Sequence, residues 1–180
     1  MPQFKIAAVL VLAIILQLTL GEAWPPLSHI DFPLIVVVYV ALQRDAWTAL
    51  IVGTIAGLAI DAPSGGLIGA GGFSKTLTAY LVFMAATRVN LENPLIRIPV
   101  LAAATVVDGS VYFFWQRSLG HQPSAPFMQT ISYNLIATTI VGTFVLYMLN
   151  SVFNPTGSQS RQFASRRRGA RRSTSFSKRR

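Results

Sequence analysis

Cysteine is absent from the 180 residues. Disulfides, thiolate metal sites and thiol nucleophiles are therefore excluded. Charge is nearly as scarce: 12% of residues are charged, against about 25% in an ordinary soluble chain. So few charged groups cannot cover a water-facing surface. Histidine occurs only as His29 and His121, far apart and in no metal-ligand spacing. There is no GxSxG elbow and no HExxH pair. What fills the chain is apolar: 52% hydrophobic residues and a mean hydropathy of +0.52. A soluble enzyme of ordinary type is disfavoured, and a bilayer is the expected solvent.

The formal charge of +9 is placed very unevenly. Nine of the fifteen basic residues fall within 155–180, and none of the six acids does. Residues 1–154 thus carry six basic and six acidic groups and no net charge. The expected organisation is a transmembrane helical domain over 1–154 and a disordered basic cytoplasmic tail over 155–180. That tail, low in apolar residues, has the composition of a disordered segment. Beside a membrane its Arg166, Arg167, Arg168, Arg171 and Arg172 attract anionic lipid. Nucleic acid would be held by the same electrostatics, but only Phe163 and Phe176 interleave the charges, so membrane lipids are the expected partner and nucleic acid is not.

Six apolar stretches can be drawn: 6–20, 32–42, 46–60, 68–86, 98–115 and 131–152. A bilayer core takes about 20 apolar residues of helix, and only the last stretch reaches that length cleanly. The second rises only about 16 Å as a helix, so it recruits 27–31, sits inside the bundle, or forms a re-entrant hairpin with the third. About six transmembrane helices are expected, with five as the alternative. Lys5, the apolar run and Gly21-Glu22-Ala23 resemble a cleavable signal. Because further spans follow directly, an uncleaved first span is the expectation.

With the N-terminus inside and six spans, inner segments carry Lys5, Arg44, Arg88, Arg97 and the nine tail residues. Outer segments carry Lys75 and Arg117. Thirteen against two is a strong positive-inside bias, and it places both termini in the cytoplasm. Trp24, Trp47 and Trp115 fall at span ends, as an interfacial aromatic belt requires.

Polar residues inside apolar stretches need a reason. Asp108 lies within the fifth, where a carboxylate costs about 2.5–3.5 kcal/mol on insertion scales and faces a partner or a cavity. It is read as a ligand, proton or partner contact, or as a bundle-internal hydrogen bond. In the third stretch Ala49, Gly53, Gly57 and Asp61 recur every four residues and stack on one helical face. Gly53 and Gly57 form a GxxxG, which lets two helices approach closely, within the chain or across to a partner. Asp31, Arg44 and Asp108 are the expected buried polar residues.

The segment after Asp61 is dense in glycine, from Gly65 and Gly66 to Gly69, Gly71 and Gly72. It is not a phosphate loop: Phe73 and Ser74 separate the last glycine from Lys75, where a Walker motif needs Gly directly before Lys. A kinked or re-entrant approach to the fourth span is the expectation.

The stretch from His29 to about Gly72 resembles the rod shape-determining protein MreD family of bacteria. The carrying residues are Asp31 ahead of the run 32–42, then Gln43-Arg44, the small-residue helix with Gly53 and Gly57, and the segment from Asp61-Ala62-Pro63-Ser64-Gly65-Gly66 to Gly69. Chain length and the number of apolar stretches agree. The long arginine-rich tail has no counterpart in that pattern.

The resemblance implies a non-enzymatic inner-membrane component of the elongation machinery for peptidoglycan, acting in the regulation of cell shape. It implies association with an MreC-like protein and, through it, with the RodA–penicillin-binding protein synthase and MreB filaments. It also implies an all-α fold similar to the substrate-binding component of energy-coupling-factor transporters. No cofactor is expected. The reading is a polytopic scaffold, with the Ala49–Gly53–Gly57 ridge docking another helix. The rival is a transporter's substrate-binding subunit for a vitamin-sized molecule, with its ligand held among Asp31, Asp61 and Asp108.

Overall fold

The computed structural model describes residues 2–23, 29–63, 68–88, 94–120 and 127–153. These hold six α-helices and no strand: α1 (Pro2–Ala23), α2 (Phe32–Leu42), α3 (Ala46–Asp61), α4 (Ala70–Arg88), α5 (Pro94–Ser118) and α6 (Phe127–Phe153). Residues 1–146 make one compact unit, which contains the site below. Residues 147–180 make a second, described only where 147–153 complete α6. Trp24, His121, Ser64-Gly65-Gly66 and the basic tail, with Arg166, Arg167, Arg168, Arg171 and Arg172, lie outside the described residues.

Each apolar stretch forms one helix, and side-chain caps set the starts of α2 and α3. Asp31 caps α2: its Oδ1 accepts from the Leu34 N–H at 2.9 Å, and Pro33 sits in the first turn, where its missing N–H costs nothing. Asp45 caps α3 in the same way, accepting from the Thr48 N–H at 3.3 Å and the Thr48 hydroxyl at 2.6 Å. Between them the chain turns through Arg44, whose φ of 65° is left-handed. This is a tight connection of three residues between α2 and α3, which leaves Gln43, Arg44 and Asp45 exposed. Arg44 is therefore not one of the buried polar residues.

The short second helix lies inside the bundle. Every residue from Pro33 to Ala41 is buried, so α2 has no polar face because it has no outer face. Around it, the Phe32 N–H donates to Gln17 Oε1 of α1 at 3.0 Å. On α6, Gly142 leaves room for Leu101 and Ile35, whose side chains a Cβ there would crowd.

The outside of the bundle is apolar as well. On α3 the small residues Ala49, Gly53, Ala56 and Gly57 are buried, while Ile51, Ile55 and Leu58 are exposed. Phe114 on α5 and Ile136, Ile140 and Phe144 on α6 are exposed too. Residues 96–118 and 128–149 are long and apolar enough to cross a membrane; α1, α2 and α3 are shorter apolar helices. An aqueous protein rarely presents so much exposed aliphatic and aromatic surface.

Candidate functional site

A close approach between α3 and α4 is built by glycine. Gly57 faces the backbone of Gly71 and Gly72 on α4, so a Cβ at Gly57 would overlap the Gly71 carbonyl. One turn earlier, a Cβ on Gly53 would stand 3.0 Å from the Lys75 carbonyl oxygen. Beside them the Thr54 and Thr76 hydroxyls share a hydrogen bond of 2.8 Å. The GxxxG ridge thus meets α4 of the same chain, backbone against backbone, as small-residue interfaces in membranes do.

Asp61, at the end of that ridge, is 3% exposed. Its Oδ2 accepts from the N–H of Gly69 at 2.9 Å, Gly71 at 2.9 Å and Gly72 at 3.3 Å. The first turn of a helix has N–H groups without intrahelical partners and the positive end of the helix dipole. Here a carboxylate from the preceding helix satisfies both. Gly69 takes a φ of 103°, open to glycine alone at little cost. A Cβ on Gly71 would strike the Asp61 carboxylate. Gly69, Gly71 and Gly72 therefore cradle an anion, although the segment has no phosphate-loop spacing, and that anion is the chain's own Asp61.

One turn along α4, the close approach sets up a cluster of charge. Lys75 was expected in an outer segment; it is instead on α4 and 5% exposed. Its ammonium donates to Asp31 Oδ2 and, at 3.0 Å, to Asp108 Oδ2. Asp108, 8% exposed, also accepts from the Ser74 hydroxyl through Oδ1, and the same hydroxyl lies 2.8 Å from the Asp108 carbonyl oxygen. Asp31 is half-buried. Its backbone N–H donates to Thr138 Oγ1 of α6 at 3.2 Å, and that hydroxyl lies 3.3 Å from the His29 carbonyl. The cluster therefore joins the start of α2, the second turn of α4, the middle of α5 and the middle of α6.

Among the expected residues, the structure brings Asp31 and Asp108 together through Lys75. It places Gly53, Gly57 and Asp61 along α4, buries Ala49, and leaves Arg44 outside. Lys75 and Ser74 were missed. The available signal was that two carboxylates in apolar surroundings need a cation, and Lys75 is the one basic residue inside the stretch 68–86.

Chemically the cluster is closed. Each carboxylate already has protein donors, and no group of three or more metal-ligating side chains occurs among the described residues. A part-open groove of about 120 Å³ lies elsewhere, between α4 and α5, with Leu81, Ala85, Val100 and Ala104 in its walls.

An all-α bundle with an apolar exterior, carrying Lys75 and Asp108 inside as an ion pair and Asp61 as a cap, is a helical membrane protein. The chain belongs to the rod shape-determining protein MreD family, whose model matches residues 2–154. That membership carries a role in determining rod shape. No curated protein and no solved structure matches the chain.

Proposed function

We propose that this chain is a non-enzymatic scaffold in the inner membrane, holding together the machinery that elongates the peptidoglycan wall. It crosses the membrane six times with both termini in the cytoplasm, in a helical arrangement similar to the substrate-binding component of energy-coupling-factor transporters. Its partners are an MreC-like protein and, through it, the RodA–penicillin-binding protein synthase and MreB filaments.

The observation that carries this reading is the engagement of the interior charges with one another. Lys75 is paired with both Asp31 and Asp108, and Asp61 is saturated by three backbone N–H groups. A substrate-binding subunit would keep such groups free around a cavity. A scaffold uses them to fix the positions of its helices and presents its outer faces to partners. The exposed Ile51, Ile55 and Leu58 stripe of α3 supplies one such face.

The test is affinity capture of the full chain from native membranes in mild detergent, with mass spectrometry of the proteins and small molecules recovered. Recovery of an MreC-like protein with the cell-wall synthase is the expected result. Recovery of ATPase subunits together with a bound vitamin-sized molecule would overturn it in favour of transport.

A further inference from the structure

The groove between α4 and α5 is lined on α4 by Leu81 and Ala85 and on α5 by Val100, Ala103, Ala104 and Val107. It is part-open and almost wholly apolar. Its two walls share one further property, visible from helical spacing. Arg88 follows Leu81 by seven residues and Ala85 by three, so it extends the α4 wall by a turn. Arg97 precedes Val100 by three and Ala104 by seven, so it extends the α5 wall by a turn.

The two helices run in succession through the connection 89–93, which brings both extensions to the same end of the groove. Arg88 is exposed. Arg97 is half-buried, and its Nε is a buried donor with no hydrogen-bond partner among the described residues. A guanidinium donor without an acceptor at the mouth of an apolar groove is an incomplete arrangement.

We infer that the α4–α5 groove is a binding site for one anionic phospholipid, with its phosphate between Arg88 and Arg97 and an acyl chain along Leu81, Ala85, Val100 and Ala104. A partner helix would also cover an apolar groove, but it would not call for two arginines at one end. Basic pockets between transmembrane helices on the cytoplasmic side are where anionic headgroups are held, and the charge bias along the sequence puts the 89–93 connection on that side. The site is separate from the tail: it combines a headgroup clamp with a shaped apolar wall, and so discriminates by chain as well as by charge.

The experiment is native mass spectrometry of the full-length protein in mild detergent, titrated with phosphatidylglycerol or phosphatidylcholine at low lipid-to-protein ratio. The variants are Arg88→Gln/Arg97→Gln, Arg88→Gln alone in case the pair misfolds, and Ala103→Phe, which fills the groove from an exposed position. All keep the basic tail, so differences between them read the groove. The expected result is a several-fold loss of the first-bound phosphatidylglycerol in each variant, with phosphatidylcholine weak throughout. Millimolar inorganic phosphate is expected to leave the bound lipid in place. Equal phosphatidylglycerol retention in wild type and variants would overturn the proposal. So would displacement by phosphate alone, which would mean a headgroup site with no chain in the groove. Loss in the arginine variants with none in Ala103→Phe would overturn the acyl-chain assignment in the same way.

Discussion

The Lys75 ammonium on α4 lies 3.0 Å from Asp108 Oδ2 on α5, and on its other side it meets Asp31. Two carboxylates more than seventy residues apart in sequence are thereby held by one cation. Burying the three together costs desolvation, so the cluster is no simple source of stability. Its effect is conditional: once the helices are in the membrane, the charges leave few other ways to pack them. That is a device for fixing helix register.

Removing the cation tests this. Lys75→Met leaves two carboxylates facing each other without a counter-charge, and breaking a buried pair this way costs about 3–5 kcal/mol. The expected outcome is a sharp drop in thermal stability of the purified protein in detergent. The double variant Lys75→Met/Asp108→Leu removes a charge of each sign and is expected to recover a large part of the loss. Additive losses in the two single variants and the double would show the pair is not coupled.

Asp61 allows a second test, because it acts on backbone rather than on a charge. Asp61→Ala strips the cap from α4 and leaves the Gly69, Gly71 and Gly72 N–H groups without it. Loss of a cap costs about 0.5–2 kcal/mol. Hydrogen exchange at Gly71 and Gly72 is expected to accelerate while the middle of α2 stays protected. Asp61→Asn, which keeps an acceptor oxygen, is expected to restore part of the protection.

The helices were legible because each apolar run had to become one. The buried place of α2 was legible only as one option among three, since a run apolar on all sides looks the same in lipid and in a protein interior. Lys75 is counted with the outer segments although it lies inside the stretch 68–86, since a lysine is costly in a span that shows no acidic partner of its own. Nothing local to Gly72-Phe73-Ser74-Lys75 says that Asp31 and Asp108 converge on it. Asp61 was seen as the end of a ridge, yet its role depends on N–H groups eight to eleven residues later, and backbone donors have no letter in a sequence. Arg44 is expected among the buried polar residues, whereas the tight α2–α3 connection leaves it outside.

Asp45 gives a prediction about pH. The Thr48 hydroxyl, aided by the Thr48 N–H, holds its carboxyl below the usual carboxylate range. A depressed value in the folded state means the cap's contribution is complete above the ordinary carboxylate pKa and fades as pH falls through the lower folded one. Thr48→Val removes the hydroxyl and keeps the N–H. Followed by NMR titration of the Asp45 side chain, the variant is expected to titrate closer to the ordinary value. An unchanged midpoint would show that the hydroxyl does not set it.

The glycine ridge yields the strictest comparison, since one atom is added at two positions a turn apart. At Gly57 a new Cβ meets backbone, the Gly71 carbonyl, which cannot rotate away as a side chain would. The helices have to separate, and overpacking of this kind costs about 1–3 kcal/mol. At Gly53 the same Cβ stands 3.0 Å from the Lys75 carbonyl oxygen, a contact a small shift relieves. Gly57→Ala is therefore expected to lower stability clearly more than Gly53→Ala. Separation at Gly57 also draws α4 away from Asp61, so Gly71 and Gly72 N–H protection is expected to fall with it. If the two variants were equally stable and only association with other membrane proteins changed, the ridge would be serving a partner's helix instead of α4.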